Sequence, residues 1–201
     1  MNRLLFILLG AVLLVGIGCT PKTPEPPAKT PPPEAPGSVP LPTRVQPLRD
    51  LPMETEIADM ADEERAAMLT EYMQDHDMIS APAIAPSAPE GASLKSGAFQ
   101  MRYHSVSGGA AIIKEGDRYK LVLSSDFVTD AGPDLRVVAT SHNRPWTSED
   151  LHQEPYAELG PLQGTSGAQV YDLGPLNPDD VKSVAIYCKP FQVVFGWATL
   201  E

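Results

Sequence analysis

Residues 181–200, VKSVAIYCKPFQVVFGWATL, contain two short runs rich in Val, aromatic and small apolar residues. Runs of this length and composition predict β-strands. Successive side chains of a strand point to opposite faces of its sheet. The first run therefore has two predicted faces, which are Val184, Ile186 and Cys188 on one side and Ser183, Ala185 and Tyr187 on the other.

Five similar runs precede this stretch: AFQMRYHSV (98–106), GAAIIK (109–114), RYKLVLSS (118–125), PDLRVVATS (133–141) and AQVYDL (168–173). Turn clusters with Gly and Pro separate many of them, and none of the intervals has the length and period of a crossover helix. The pattern predicts one domain over residues 94–201, an antiparallel β-sandwich of about seven or more strands. The longest interval without a predicted strand, residues 141–160, is expected to hold a helical turn around Ser148 to Leu151.

An acidic segment, residues 50–78, lies upstream of this domain. Over residues 50–77 it has ten acidic residues against the single basic Arg65. We predict a helix over residues 62–76, with Asp59 or Asp62 as its N-cap. Its apolar stripe, which could pack on the main domain or bind a partner, comprises Met68, Leu69, Tyr72 and Met73, extended upstream by Ile57 and Met60. Residues 79–93, rich in Ala, Pro and Ser, are expected to form a flexible linker.

Residues 19–49 form a proline-rich segment, and residues 20–49 hold eleven of the twenty-two prolines. Prolines this dense remove backbone donors and fix φ, so we predict an extended polyproline II spacer. At about 3.1 Å per residue it could reach on the order of 90 Å. Such a spacer could hold the domain away from a membrane, and binding of the segment to another domain is the alternative.

Residues 1–18 form an apolar N-terminal segment with one basic residue, Arg3, and Cys19 follows directly. The apolar stretch is shorter than the roughly twenty residues of a spanning helix, so we predict a cleaved signal peptide rather than an anchor helix. The segment resembles a bacterial lipoprotein signal. This resemblance implies that Cys19 carries a diacylglycerol with fatty-acyl chains such as palmitate. It further implies a bacterial cell-envelope location, at the outer membrane if the host is Gram-negative, since Thr20 and not Asp follows the cysteine.

The ordered pieces HSVSGGAAI, YKLVLSSDF, GPDLRVV, QVYDL and VAIYCKPFQVVFGWATL within residues 94–201 resemble the DM13 domain, also called an electron-transfer domain. The most specific pieces are Gly132-Pro133-Asp134 and the pair Tyr187-Cys188, followed by Phe191. The resemblance implies a β-sandwich in which Cys188 is a redox thiol or a ligand to a prosthetic group. It makes Asp134 and Tyr187 weaker candidate site residues.

Cys188 has three interpretations from the residues alone. It shares its predicted face with Val and Ile, so a small buried core residue is the simplest. It could also be a reactive thiolate or ligand at the end of its strand, although Lys189 should point the other way. A transient intermolecular disulfide is the third.

Other metal-ligating or soft side chains occur without a strong motif. His104 is predicted to lie on the polar face of its strand, at the surface, and its functional alternative is an axial haem or metal ligand beside Cys188. The remaining weak candidates are a loop site (His142, Glu149, Asp150, His152, Glu154), a Ca²⁺ site (Asp126, Asp130, Asp134) and a Cu(I) site (Met60, Met68, Met73, His76, Met78). Roles in turns, for the aspartates, and in helix packing, for the methionines, are the simpler interpretations. The sequence therefore identifies no particular cofactor.

The net charge of −11 opposes binding to nucleic acid by charge, and no nucleophile elbow or phosphate-binding loop supports a conventional enzyme. Two function classes remain. One is a membrane-anchored binding or electron-transfer module with a redox or envelope-protein partner. The other is a structural or adhesive envelope lipoprotein in which Cys188 belongs to the core.

We expect Cys19→Ala to release the protein from the membrane fraction or to block its processing, because the substitution removes the acylated side chain. Membrane fractionation and the N-terminal mass of the mature chain measure this. A variant that is processed and fractionates like the wild type would show that Cys19 is not the anchor.

Overall fold

The structure is a computed structural model that describes residues 51–52, 54–83, 91–153 and 155–201. The predicted signal peptide, Cys19 and the proline-rich spacer lie outside these residues. All described residues belong to one compact unit, which begins at Arg44. None of the helices in the described ranges has both the length and the apolar character needed to cross a bilayer.

Three helices and ten strands make up the described chain. The helices are α1 (Glu54–Ile57), α2 (Asp62–Asp75) and α3 (Ser148–Leu151). The strands are β1 (Ser93–Met101), β2 (Val106–Ser107), β3 (Gly109–Glu115), β4 (Arg118–Leu123), β5 (Val128–Thr129), β6 (Leu135–Thr140), β7 (Tyr156–Pro161), β8 (Gln169–Asp172), β9 (Ser183–Cys188) and β10 (Val193–Thr199). The predicted helical turn at Ser148 to Leu151 is confirmed. The interval from 141 to 160 is shorter than predicted, because it also contains β7.

Eight strands form one sheet in the order β7-β6-β9-β10-β1-β3-β4-β8, and β2 pairs with β5. Every pair of these strands is antiparallel, so the predicted all-β antiparallel fold is confirmed. These eight strands form two layers, β7-β6-β9-β10-β1 and β1-β3-β4-β8, which share β1. The first part of β1 pairs with β3, and its last three residues pair with β10. At Gly97, near the end of the part that pairs with β3, a Cβ would lie 1.8 Å from the carbonyl oxygen of Thr199. Only glycine fits where the strand passes from one layer to the other.

The main core lies between the two layers. It joins Ile112, Leu121 and Leu123 of one layer to Val137, Val184, Ile186, Cys188, Val193 and Phe195 of the other. A second, smaller cluster covers the opposite face of β9 and contains Val138, Leu151, Ala185, Tyr187, Val194 and Trp197. All six residues of β9 are buried. Val184, Ile186 and Cys188 belong to the main core, and Ala185 and Tyr187 belong to the second cluster, as the predicted alternation requires.

Helix α2 begins and ends almost where the sequence predicts, but its N-cap differs. The N-cap is Ala61, which has no side-chain acceptor, and neither Asp59 nor Asp62 holds this position. The carboxylate of Glu64 instead accepts a hydrogen bond from the Ala61 N–H at 3.0 Å. Asp62, Glu63 and Glu64 all lie in the first turn, where acidic side chains suit the helix dipole.

The apolar face of α2 packs on the sandwich. Ala66, Leu69 and Tyr72 belong to the main core, and the Tyr72 ring lies 5.3 Å from that of Phe191. Of the two predicted uses of this stripe, the described structure shows packing on the main domain. The helix is therefore part of the folded core and not a separate acidic appendage.

A largely buried ion-pair network fixes the start of α2. The Asp62 carboxylate accepts a hydrogen bond from Arg65 and pairs at 3.1 Å with Nη1 of Arg102, whose side chain is only 4% exposed. The Arg102 guanidinium also lies over the rings of Tyr103 and Trp146, 4.3 and 4.9 Å from their centroids. Asp62 thus neutralises two arginines that the fold withdraws from water.

Part of the predicted linker at residues 79–93 is held against the domain. The backbone N–H of Ala83 donates to the carbonyl of Ser166 at 2.7 Å, and that of Thr165 donates to Ala81 at 2.7 Å. Ala81 also donates to the Thr165 hydroxyl at 2.9 Å. Around Pro82 the described part of this segment therefore forms an isolated β-bridge with Ser166 of the domain.

We expect Asp62→Asn to lower the free energy of unfolding by about 3 kcal/mol, because it leaves the buried Arg102 without its counter-ion. Glu71→Gln is the matched control, since Glu71 lies exposed on the same helix, and it should change stability by less than about 0.5 kcal/mol. Urea unfolding measures both. Equal effects of the two substitutions would contradict the role given to Asp62.

Candidate functional site

Cys188 ends β9 on the side that faces the main core. Its side chain is 0% exposed, and its thiol donates a hydrogen bond to the carbonyl of Pro133 at 3.1 Å. The backbone N–H of Phe191 in turn donates to the sulfur. The thiol is thus enclosed by the Gly132-Pro133-Asp134 segment on one side and by the turn after β9 on the other.

Burial sets the protonation state of this thiol. Removal from water raises the pKa of Cys188 far above its usual range. The hydrogen bond from Phe191 lowers the pKa in part, and the nearby Asp134 carboxylate raises it again. The sulfur is therefore a protonated thiol at neutral pH, and it is a weak nucleophile and metal ligand in this conformation.

Lys189 does not assist the thiol. Its ammonium group lies on the outer side of the sheet, where it pairs at 3.1 Å with the Glu158 carboxylate. Just over half of the Lys189 side chain is exposed. This agrees with the prediction that Lys189 points away from Cys188.

The Gly132-Pro133-Asp134 segment is a tight entry into β6. A Cβ on Gly132 would lie 2.8 Å from the ring of Phe195, so only glycine fits there without movement. Asp134 has a φ of +46°, and its carboxylate binds Arg136 at 2.7 and 3.0 Å. Asp134 is thus the turn and strand-entry residue that the sequence predicts.

His104 is buried, which contradicts the prediction that it lies at the surface. Strand β1 ends at Met101, so the alternation that would place His104 on a polar face does not reach it. The ring is 7% exposed and packs 4.4 Å from the ring of Phe195. Its Nε2 atom is buried and has no hydrogen-bond partner among the described residues.

Burial also lowers the pKa of His104, and the charge of Asp130 opposes this effect. The Asp130 carboxylate accepts the backbone N–H of Ser105 at 2.8 Å. His104 and Cys188 therefore lie near opposite ends of the segment from 130 to 134. In this arrangement they do not fit a haem or metal centre, because the Cys188 sulfur is protonated, enclosed and bonded to Pro133.

The other weak metal candidates are dispersed. Asp150 approaches one of the two histidines, with its Oδ1 atom 3.9 Å from Nε2 of His142. Its other oxygen caps α3 by accepting the backbone N–H groups of Trp146 and Thr147, both at 3.1 Å. Glu154 lies outside the described residues. Within the described ranges, no group of three or more His, Cys, Asp or Glu side chains is placed to hold a metal ion.

The aspartates and methionines have separate partners. Asp126 bonds to the Ser124 hydroxyl, whereas Asp130 and Asp134 bind Ser105 and Arg136. Met68, Met73 and Met78 pack against the main core. The Ca²⁺ and Cu(I) hypotheses gain no support from these contacts.

Tyr187 lies on the outer side of β9, opposite the thiol. Its hydroxyl shares a hydrogen bond of 2.8 Å with the Ser148 hydroxyl, and burial raises the pKa of Tyr187 to about 12. The His152 ring stands 5.3 Å from the Tyr187 ring at 77°, and His152 Nδ1 lies 2.6 Å from the Ser148 carbonyl. Because a carbonyl oxygen can only accept, Nδ1 is the donor in this contact.

A recess of about 460 Å³ opens beside these residues, and we call it the Tyr187 recess. Its walls are Pro52, Ser148, His152, Glu158, Tyr187, Lys189, Pro190 and Gln192. Sequence reasoning missed it as a site. The one signal that points to it is the alternation of β9, which places Tyr187 opposite Cys188.

Comparison with protein families completes the description. The family model described as electron transfer DM13 matches residues 98–200, which is just over half of the chain. The protein belongs to the DM13 family. No curated protein matches the chain, and no solved structure does either.

The DM13 match contains Cys188, His104, Asp134 and Tyr187, but α2 precedes it. Three buried residues of α2 nevertheless belong to the main core of the DM13 domain. In this protein, the DM13 domain therefore completes its core with residues from outside the matched range.

The lowered pKa of His104 predicts acid sensitivity. In the unfolded chain the histidine has a pKa of about 6.5, so it binds a proton at pH values where the folded chain does not. The free energy of unfolding therefore falls as the pH drops from about 6.5 towards the folded pKa, by at most about 1.4 kcal/mol per pH unit. Urea unfolding at about pH 7.5 and about pH 5.5 measures this loss. His104→Gln should lose less stability between the two pH values than the wild type. An identical loss would contradict the assignment.

Proposed function

We propose that this protein is a membrane-anchored extracytoplasmic module that acts in electron transfer. Membership of the family described as electron transfer DM13 carries the functional class. The lipoprotein-like segment that ends in Cys19 supports attachment to a membrane face in the bacterial envelope, with the outer membrane favoured in a Gram-negative host. The proline-rich spacer would let the domain reach a redox or envelope-protein partner.

The geometry supports Cys188 best as a core residue of this module. The sulfur is fully buried, protonated and hydrogen-bonded on both sides, by Pro133 and by Phe191. A thiol in this state neither exchanges with disulfides nor coordinates a metal without movement of the surrounding chain. We therefore infer that contact with a partner occurs on the outer surface and not at the sulfur.

A second candidate function makes Cys188 a redox thiol or a ligand to a prosthetic group. One observation favours it: the thiol is bonded to Pro133, within the Gly132-Pro133-Asp134 segment on which much of the DM13 resemblance depends. In this case the segment would move to open the sulfur. A third class, a structural or adhesive envelope lipoprotein, shares the same buried cysteine and lacks a redox partner.

Thiol labelling of the native Cys19→Ala chain separates these roles, because Cys188 is then the only cysteine. If Cys188 is a core residue, the reagent should react only as fast as the domain unfolds. Cys188→Ala should cost about 1–3 kcal/mol, since it leaves the carbonyl of Pro133 without its donor. Cys188→Ser should cost less, because a hydroxyl can donate to the same carbonyl.

The redox or ligand role makes the opposite forecast. The native thiol would react well before unfolding, or protein purified from its host would carry a chromophore in its visible absorption spectrum. Cys188→Ala would then abolish that signal with little loss of stability. This outcome would reject the core assignment and retain the electron-transfer module.

A further inference from the structure

The Tyr187 recess has aromatic rings and prolines among its walls. Pro52 and Pro190 line it together with His152 and Tyr187. The two rings stand at 77° with their centroids 5.3 Å apart, and His152 makes a second edge-on contact with Tyr156 at 5.0 Å. The volume of the recess, about 460 Å³, lies within the range of small-molecule sites. The recess therefore has the size and the apolar walls to receive one flat ring.

The charged walls of the recess neutralise each other. The Glu158 carboxylate accepts a hydrogen bond from Lys189 at 3.1 Å and one from Nη1 of Arg136 at 3.0 Å. The Arg136 guanidinium also binds the carboxylate of Asp134. Two carboxylates and two cations thus balance in one network. An ionic ligand would lose water without gaining an unpaired counter-ion here, so the recess favours a neutral molecule.

Gln192 lines the recess with a side chain that the fold does not use. It lies in the turn between β9 and β10, where its φ is +53° and its backbone N–H donates to the carbonyl of Lys189 at 3.3 Å. A positive φ favours glycine and is uncommon for a long side chain. Asp134 also has a positive φ, but its carboxylate binds Arg136. The Gln192 amide, in contrast, has no hydrogen-bond partner among the described residues.

A primary amide suits a ligand that alternates between a carbonyl and a hydroxyl form. The amide N–H groups donate to a carbonyl oxygen, and the amide oxygen accepts from a hydroxyl. Quinones are neutral flat rings with carbonyl oxygens, and their reduced forms carry hydroxyl groups at the same positions. One amide can therefore bind both forms, as the site of an electron carrier requires.

We propose that the Tyr187 recess binds the ring of a quinone, with the Gln192 amide donating to one of its carbonyl oxygens and with His152 and Tyr187 as aromatic walls. This inference rests on the proposed function, because electron transfer selects a quinone among neutral flat carbonyl compounds. It deepens that function by naming the chemical class of a redox partner. The partner meets the outer face of β9 and not the sulfur of Cys188, so the inference does not require that thiol to open.

Equilibrium dialysis of the chain from residue 19, with Cys19→Ala, against a naphthoquinone tests the proposal. Methyl groups on both ring carbons between the carbonyls prevent addition of a thiol. Gln192→Glu keeps the side-chain size but replaces the N–H donor by a carboxylate oxygen, so it should weaken quinone binding at least about tenfold. Gln100→Glu is the matched control, since Gln100 lies exposed on β1 and outside the recess, and it should leave the affinity unchanged. Thermal unfolding checks that both variants are folded.

The reduced form of the same compound, kept without oxygen, supplies the second measurement. A carboxylate still accepts from a hydroxyl, so Gln192→Glu should bind the reduced form as well as the starting protein does. Gln192→Asn, which tolerates a positive φ and withdraws the amide by one carbon, should weaken both forms.

Three outcomes would overturn the proposal. They are absence of quinone binding to the starting protein, equal quinone affinities of Gln192→Glu and Gln100→Glu, and equal loss of the oxidised and reduced forms in Gln192→Glu. Each of them rejects the recess as a quinone site and leaves the electron-transfer proposal standing, because the visible spectrum and the labelling of Cys188 test that proposal separately.

Discussion

Burial of β9 on both faces is the constraint on which the rest of the structure depends. The strand pairs with β6 on one side and with β10 on the other, so its backbone groups are satisfied within the sheet. Its inner side chains fill the space between the layers. Its outer side chains would be exposed in a plain sandwich, and α3 with the surrounding loop covers them. A strand buried on both faces reads as a nearly continuous apolar run, as SVAIYC does.

The chemistry of Cys188 follows from its place in this strand. A thiol on the inner face loses water and gains only a carbonyl and an N–H as partners, so the protonated form is favoured. One residue earlier, Tyr187 on the outer face bonds to Ser148 and lines the Tyr187 recess. The two neighbouring residues are both buried, but they lie on opposite faces of the strand and in different clusters.

Much of the fold could be predicted because its signals are local. Alternation within β9 requires only six residues, and the turn at Ser148 requires only its own capping pattern. Strand β7 was missed because YAELGP has few large apolar residues and pairs with β6 through a bulge between Val137 and Val138. The assignment of His104 failed because it extended the period of β1 beyond Met101, where the strand ends and tertiary packing on Phe195 decides.

The Tyr187 recess could not be predicted, because its walls come from four parts of the chain that have no common period. Pro52 precedes the helices, whereas Ser148, Glu158 and Gln192 lie in or next to three later elements. The packing of α2 was left open for a related reason. An apolar stripe shows that a face will be buried, but only the position of Arg102 beside Asp62 shows where.

Attachment of residues 81–83 to the loop at 164–166 has a consequence for engineering the chain. The stretch between Ala83 and Gly91 starts at a hydrogen-bonded residue and ends two residues before β1. The residues that flank this stretch therefore both belong to the folded domain. Doubling the length of a loop between fixed ends costs only about 0.6 kcal/mol of closure entropy. This stretch is thus a suitable place to insert a reporter tag without displacing α2.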